Sequence, residues 1–341
     1  MALIKQVIAT QSGQKPTRLD LEILPLLAPE LGEKLRCIST ETKLRVEEIR
    51  LRSGCPLVLR TGQGEITLTG NGQTCRDITK GFRVDGEMVR ATLDIMTRSS
   101  IYAWEEEIKN GFLTLRGGHR VGLAGKAVLE GGRVKTLRPV ASLNIRIAHE
   151  VKGVGSKLIS YLINNSGVYN TLIISPPQAG KTTLLRDLVR LLSTGVPEIG
   201  LKGVNVGVVD ERSELAGCWE GIPQNDLGPR VDILDCCPKA QGMIMLLRAM
   251  APQVIVTDEM GKREDLHAVE EAVNGGVTIL TSVHGQDVED VMRKPVLGEI
   301  LTTGVFQRIV VLSRRLGPGT VEKIWDGNLG KNLLALPYLR L

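Results

Sequence analysis

The stretch spanning residues 175–183, SPPQAGKTT, constrains the fold more than any other part of the chain. It follows an apolar run, residues 169–174, that predicts a strand, and it leads into residues 182–192, whose pattern predicts a helix. A strand, a glycine-containing loop and a helix in this order are typical of a phosphate-binding P-loop. The predicted nucleotide-binding residues are therefore Ser175, Pro176, Pro177, Gln178, Ala179, Gly180, Lys181, Thr182 and Thr183.

The chemistry of such a loop assigns a role to each of its parts. Backbone N–H groups and the positive end of the following helix surround the phosphates of ATP. Lys181 reaches the β- and γ-phosphates, and the Thr182 hydroxyl binds Mg²⁺. The pattern has Gly at its first position, where this chain has Ser175, so the site requires that Ser175 can adopt the necessary backbone angles. The alternative is an ordinary glycine-containing turn.

Composition bounds the class of protein. The chain has 341 residues, of which 42% are hydrophobic and 24% charged, as in soluble globular proteins of two domains. No apolar run approaches the roughly 18–20 residues of a membrane helix, and residues 1–14 lack the apolar segment of a signal peptide. We therefore expect a cytoplasmic protein. The six cysteines show no zinc-ligand spacing, which favours reduced thiols over a metal or redox role for Cys236 and Cys237.

Charge is unevenly distributed along the chain. The first 150 residues carry 23 Lys and Arg against 17 Asp and Glu, and the remainder carries 20 against 21. This balance falls short of a dedicated nucleic-acid module. Only 3% of the residues are aromatic, so surfaces on which bases stack are scarce. Both measures argue against nucleic acid as a partner.

Residues 1–150 predict a small α+β domain. Short strands are expected at 46–51, 56–60, 65–68, 112–115, 119–125, 126–129 and 143–147, with a helix at 87–99 and a proline-broken helix within 21–36. The glycine-rich stretch 117–122 lacks a following helix, which favours a hairpin turn over a phosphate site. Arg146 and His149 precede the glycine-containing residues 153–155, where they either face nucleotide or a neighbouring subunit or belong to a solvated linker.

Residues 151–341 alternate strand-like and helix-like runs, which predicts a mainly parallel sheet flanked by helices. Strands are expected at 172–174, 206–209, 254–257, 277–281 and 309–312. The run 254–259, VIVTDE, is an apolar strand that ends in two carboxylates. Asp258 would help to hold Mg²⁺, and Glu259 would orient and polarise the attacking water. Together with the P-loop, this strand predicts an NTPase.

Three further segments sharpen the predicted class of NTPase. Residues 206–214, VGVVDERSE, carry acidic residues to the carboxyl end of a strand, where open α/β sheets bind ligands. The helix that ends in 246–250 brings Arg248 shortly before the acidic strand. The run 281–285, TSVHG, places His284 at a strand tip, where it would sense the γ-phosphate.

Residues 170–315 resemble the motor domain of the type II/type IV secretion ATPase superfamily, the ring-forming motors of pili and secretion systems. The resemblance lies in LLRAMAPQVIVTDEM, in the spacing from Glu259 to His284 and in VVDERSE. It implies a RecA-like P-loop NTPase domain at 151–341, preceded by a smaller α+β N-terminal domain at 1–150. It also implies that Asp210, Glu211 and Glu214 form the aspartate box, with Glu259 the catalytic carboxylate and His284 the histidine-box residue.

Within that superfamily, the chain is similar to the stage III sporulation protein AA family of endospore-forming bacteria. The similarity is carried by VVDERSELAG, by LGPRVDILDCCPKAQGMIMLLRAMAP and by GGHRVGLAG. It implies a cytoplasmic ATPase of the mother cell, peripheral at the membrane through an integral membrane partner, that powers a secretion-like channel. A homo-hexameric ring is implied as well. The missing proline of the aspartate box and Asp258, where many secretion motors have Gly, favour this branch over a true secretion motor.

Several alternatives remain at this point. An arginine from the same or a neighbouring subunit would contact the γ-phosphate, and the candidates are Arg212, Arg230, Arg248 and Arg263. A nucleic-acid-dependent P-loop ATPase is the alternative function, permitted by the basic front half. A P-loop kinase would need an acceptor site and an arginine-rich lid, and no lid is evident in the sequence.

Overall fold

A computed structural model describes residues 16–98, 104–148 and 151–341. The chain divides into two compact units, Met1–His149 and Glu150–Leu341. Among the described residues, no helix is long and apolar enough to cross a membrane. His149 and residues 1–14, on which two of the sequence-based expectations rest, lie outside the described part.

The first unit is built on an antiparallel sheet. The strands of this unit are β1 (Val46–Arg52), β2 (Cys55–Pro56), β3 (Val58–Thr61), β4 (Gly64–Leu68), β5 (Thr74–Cys75), β6 (Arg83–Val84), β7 (Phe112–Leu115), β8 (His119–Glu130) and β9 (Arg133–Arg146). The helices are α1 (Pro29–Arg36), α2 (Thr40–Arg45), α3 (Gly86–Met96) and α4 (Glu105–Lys109), with short turns of helix at Leu19–Ile23, Leu24–Leu26 and Ile78–Lys80.

The main sheet of this unit has the strand order β5-β4-β3-β1-β9-β8-β7. Apolar residues alternate along the central strands, so that Ile49, Val121 and Ile145 are buried on one face, where Val89 and Leu93 of α3 join the same core. The predicted hairpin turn is present: β7 pairs antiparallel with β8, and the turn between them contains Gly117 and Gly118, with φ of 89° and 75°. Strands β8 and β9 are longer than the sequence pattern predicted.

The second unit contains the predicted parallel sheet. The strands of this unit are β10 (Ile163–Asn164), β11 (Gly167–Val168), β12 (Thr171–Ser175), β13 (Gly195–Val196), β14 (Leu201–Lys202), β15 (Val206–Asp210), β16 (Val231–Asp235), β17 (Val254–Thr257), β18 (Thr278–His284), β19 (Arg308–Ser313), β20 (Thr320–Asp326), β21 (Lys331–Asn332) and β22 (Leu339–Arg340). Its helices are α5 (Lys181–Thr194), α6 (Lys239–Ala249), α7 (Arg263–Asn274), α8 (Val288–Met292) and α9 (Pro295–Thr302), with turns at Ile159–Tyr161 and Pro197–Ile199.

The sheet of this unit has the order β16-β15-β17-β18-β12-β19-β20-β21, and β22 also pairs with β20. The strands from β16 to β19 in this order are parallel, and β20 runs antiparallel to β19. Because parallel strands end at the same edge, the carboxyl ends of β12, β15, β17 and β18 lie together. Strand β18 lies between the P-loop strand β12 and the acidic strand β17.

Helices cover both faces of this sheet. Ile173 of β12 packs in the core that contains α5, whereas Leu172 and Ile174 pack in the core that contains α6 and α7. Fully buried strands of this kind are the reason for the continuous apolar runs in the sequence. The pattern missed β16, whose sequence VDILD carries aspartates at its second and last positions, and Asp is uncommon in strands.

Candidate functional site

The loop after β12 has the backbone geometry of an anion-binding loop. Its left-handed positions are Gln178, with φ of 60°, and Gly180, with φ of 87°, immediately before α5 begins at Lys181. Alternation of right- and left-handed residues directs successive N–H groups into one concavity. A side chain at Gly180 would also place its Cβ 3.3 Å from the backbone nitrogen of Gly319, so that position has little room for a larger residue.

Ser175 does not have to adopt a glycine-like conformation. It is the fully buried last residue of β12, in strand register with His284, and it is absent from the left-handed positions of the described residues. Its hydroxyl donates to the Pro176 carbonyl oxygen at 2.9 Å. The replacement of the first P-loop glycine is therefore accommodated in the backbone of this chain.

The Glu259 carboxylate is the centre of a cluster of ion pairs. Lys181 Nζ lies 2.5 Å from its Oε1, and His284 Nε2 lies 2.9 Å from the same oxygen. Arg212 Nη1 lies 2.9 Å from Oε2. Residues from the P-loop, the β15 loop, the β17 tip and the β18 tip thus meet at one group, although 103 positions separate Lys181 from His284 in the sequence.

The backbone of Glu259 is held from the neighbouring strand. Its φ is 46°, its N–H donates to Ser282 Oγ at 3.0 Å, and the Met260 N–H donates to the Ser282 carbonyl oxygen at 2.8 Å. Burial by itself would raise the pKa of Glu259, but the hydrogen bond and charge of Lys181, with the charges of His284 and Arg212, hold that pKa below its usual value. Glu259 is therefore an anion over the neutral pH range.

Asp258 has the opposite environment. It is 1% exposed, and neither carboxylate oxygen has a hydrogen-bond partner. Burial, followed by the negative charges of Asp210 and Glu214, raises its pKa to about 7. A buried carboxylate without a partner fits a nearby cation, because an unpaired buried charge is costly. Among the described residues, no group of three His, Cys, Asp or Glu side chains is arranged to hold a metal ion.

The predicted aspartate box divides into two parts. Asp210 is fully buried, and its carboxylate accepts hydrogen bonds from the N–H groups of Glu214, Leu215 and Ala216 at 2.8–3.0 Å. Burial raises its pKa despite these bonds. Asp210 thus fixes the loop after β15, whereas Glu211 extends from that loop and forms an ion pair with Lys239, the buried first residue of α6.

The structure separates the four candidate arginines. Arg212 contacts Glu259, whereas Arg230 donates to the Ser193 carbonyl oxygen and Arg263 pairs with Glu299. Arg248 is exposed at the carboxyl end of α6. That helix returns from the carboxyl edge of the sheet to its amino edge, so Arg248 lies near the start of β17 while Glu259 lies after its end. Arg248 is therefore near the acidic strand, as expected, but at the end of that strand opposite Glu259.

Two participants were missed from the sequence. Ser282 and Lys239 lie in segments that were noted for other residues, and neither residue type is by itself a signal. Ser282 lies two residues before His284 in β18, and residues two apart in a strand point to the same face of the sheet, so this spacing predicts that both side chains lie together.

Residues 19–333 match the protein family described as sporulation stage III, protein AA. The chain belongs to this family. Stage III sporulation protein AA of Bacillus subtilis (strain 168) is 44% identical over 306 residues, which cover 89% of this chain and 94% of that protein. Protein SEEDLING PLASTID DEVELOPMENT 1 of Arabidopsis thaliana is 27% identical over 168 residues, which cover 49% of this chain and 23% of that protein.

Solved structures of type II/type IV secretion ATPases share the fold. The Legionella pneumophila ATPase DotB aligns with a TM-score of 0.52 at 15% identity, over 87% of this chain and 78% of its own. The pilus retraction motor PilT, solved with bound ADP, aligns with a TM-score of 0.52 at 15% identity, over 85% and 78%. At this identity the likeness concerns the fold, and it confirms the RecA-like α/β class predicted from the sequence.

Proposed function

We propose that this chain is an ATPase, which binds Mg²⁺-ATP and hydrolyses it to ADP and phosphate. One observation carries the proposal: the P-loop Lys181 and the strand-tip Glu259 converge, with His284 on the same carboxylate oxygen. A phosphate-binding lysine and an ionised general base at one edge of a parallel sheet are the parts that phosphoryl transfer to water requires.

Each residue of the site then has a role. The N–H groups of residues 178–183 bind the phosphates, and Lys181 neutralises their charge. The Thr182 hydroxyl and Asp258 would hold Mg²⁺, which when bound supplies positive charge to the β- and γ-phosphate oxygens. Glu259, whose backbone N–H donates to Ser282 Oγ, orients and polarises the attacking water. His284 and Glu211 complete the polar wall of the site.

The assembly is proposed from the family and from the fold. The residue 151–341 domain is the motor and the residue 1–150 domain is its N-terminal partner, as in secretion ATPases. We propose a homo-hexameric ring in which Arg248 acts across the subunit interface, since it lies far from Glu259 in its own chain. The ring would work in the cytoplasm of the mother cell, attached to an integral membrane protein of the sporulation channel.

Phosphate release by the purified full-length chain tests the proposed activity. We expect Mg²⁺-dependent ATP turnover, loss of nucleotide binding in Lys181→Ala, and retained binding with turnover lowered by roughly 100-fold or more in Glu259→Gln. Lys202→Ala and Glu271→Gln make the same substitutions at exposed positions and should behave as wild type. Normal turnover by Glu259→Gln would remove Glu259 from its role.

Light scattering of Glu259→Gln with and without Mg²⁺-ATP tests the ring, because this variant should accumulate the ATP state. A mass of about six protomers with ATP supports the hexamer. A persistent monomer with ATP bound would contradict self-assembly and direct attention to the membrane partner.

A further inference from the structure

Both oxygens of the Glu259 carboxylate are occupied by cations. Oε1 receives Lys181 and His284, and Oε2 receives Arg212. Lys181 is a phosphate ligand in the proposed function, so Glu259 here occupies the place of an anion that Lys181 binds during turnover. Arg212 is the other permanently charged group on this carboxylate, so the same replacement of Glu259 by an anion is open to it.

The loop that carries Arg212 is held in place by hydrogen bonds and an ion pair. It directly follows the two-residue segment Asp210–Glu211, whose first member is anchored by three backbone N–H groups and whose second member pairs with buried Lys239. The next residue, Ser213, adopts a left-handed φ of 53°. The main chain on both sides of Arg212 is therefore fixed, which aims its side chain at the strand tips.

The contact between Arg212 and Glu259 is accessible to a ligand. The Arg212 side chain is 54% exposed, and both residues line a cavity of about 780 Å³ together with Glu211, Lys239 and Asp265. A terminal phosphate offers three oxygens and about two negative charges, and guanidinium groups bind phosphate through paired hydrogen bonds. Such a group competes effectively with a single carboxylate for Arg212 and Lys181.

We infer that Arg212 is a catalytic residue that binds the γ-phosphate from within the same chain, and that Glu259 holds this arginine when no γ-phosphate is present. The inference rests on the proposed function and deepens it. ATP takes Lys181 and Arg212 away from Glu259, which frees Oε2 for water while His284 remains on Oε1. ADP lacks the γ-phosphate, so the Arg212–Glu259 contact persists and Glu259 stays blocked.

Equilibrium binding of Mg²⁺-ADP and of Mg²⁺ with a non-hydrolysable ATP analogue tests the inference on the full-length chain. We expect Arg212→Ala to bind the ATP analogue roughly 10-fold more weakly, as for loss of a charge-assisted hydrogen bond, with ADP affinity changed less than about twofold. Arg212→Lys should recover part of the loss. Arg45→Ala, an exposed arginine paired with Glu41, is the matched control and should leave both affinities unchanged.

Glu259→Gln provides a second measurement in the opposite direction. Without the competing carboxylate charge, this variant should bind the ATP analogue more tightly than wild type, by several-fold, and the gain should disappear in the Arg212→Ala/Glu259→Gln double variant. Equal losses for ADP and the analogue in Arg212→Ala, or no loss, would overturn the inference while leaving the ATPase intact. Absence of nucleotide binding to wild type would overturn the proposed function itself.

Discussion

Asp258 and Glu259 are neighbours in the chain with opposite electrostatic environments. The Asp258 carboxylate is buried without a hydrogen-bond partner, whereas the Glu259 carboxylate contacts Lys181, Arg212 and His284. Consecutive residues at a strand end point in different directions, so Asp258 faces the acidic interior near Asp210 and Glu259 faces the P-loop. Two carboxylates whose pKa values are moved apart are suited to different tasks.

The raised pKa of Asp258 predicts a pH-dependent stability. Its pKa is about 7 in the folded chain against 3.8 for the ordinary group, so between about pH 4 and pH 7 the folded state binds a proton that the unfolded state does not. The free energy of unfolding should therefore fall as the pH rises through this window. Asp235, whose burial raises its pKa to about 6, contributes with the same sign.

Asp258→Asn removes this effect. We expect its Tm relative to wild type to increase by several °C between pH 5 and pH 8, measured by scanning calorimetry in buffer with a chelator. Asp77→Asn is the control, because hydrogen bonds from Thr79 hold the pKa of that exposed carboxyl below its usual value, outside the tested range. Parallel Tm curves for Asp258→Asn and wild type would contradict the assignment.

Restoring glycine at the first P-loop position should bring no benefit. Ser175 lies in a strand at a φ that any residue adopts, so Ser175→Gly should leave ATP affinity within about twofold while lowering stability by about 0.5–1 kcal/mol. Gly180→Ala should weaken nucleotide binding strongly, because φ of 87° and the nearby Gly319 backbone disfavour a side chain. Nucleotide titrations and urea unfolding of both variants check this contrast, and a large gain in affinity for Ser175→Gly would refute it.

Ser282 should act as a positioning residue for Glu259. Its hydroxyl accepts the Glu259 N–H, so Ser282→Ala should lower kcat by roughly 10-fold with little change in KM, since only the base is misplaced. Ser282→Thr retains the hydroxyl and should recover most of the activity. Steady-state phosphate release distinguishes these cases, and a change confined to KM would show that Ser282 serves substrate binding instead.

The pair formed by Lys239 and Glu211 should stabilise the edge of the sheet that carries the site. The Lys239 side chain is 7% exposed and the Glu211 side chain 26% exposed, so removing the lysine leaves the Glu211 carboxylate poorly solvated and takes away a positive charge that acts on Asp258. We expect Lys239→Met to lower the free energy of unfolding by about 2–4 kcal/mol, measured by urea denaturation. The double variant Lys239→Met/Glu211→Leu should regain much of that loss; an equal or larger loss would contradict the pairing.

The sequence by itself determined the local chemistry of this protein. The P-loop, the apolar strand ending in Asp258 and Glu259, and the strand ending in His284 were all predicted, because each consists of adjacent residues whose apolar pattern and polar tip are visible within ten positions. The parallel sheet followed from the alternation of strands and helices. Strand β16 was missed because its two aspartates and half-exposed edge position give a weak pattern.

Only the tertiary structure decided which charges meet. The order that puts β18 between β12 and β17 brings His284 and Ser282 to Glu259, and the fixed loop after β15 brings Arg212 to the same carboxylate. The direction of α6 brings Arg248 to the amino edge of the sheet, six residues before β17 begins, whereas Glu259 lies at the carboxyl edge. Strand order and helix direction depend on packing between segments far apart in the chain. Local patterns of hydrophobicity do not determine that packing.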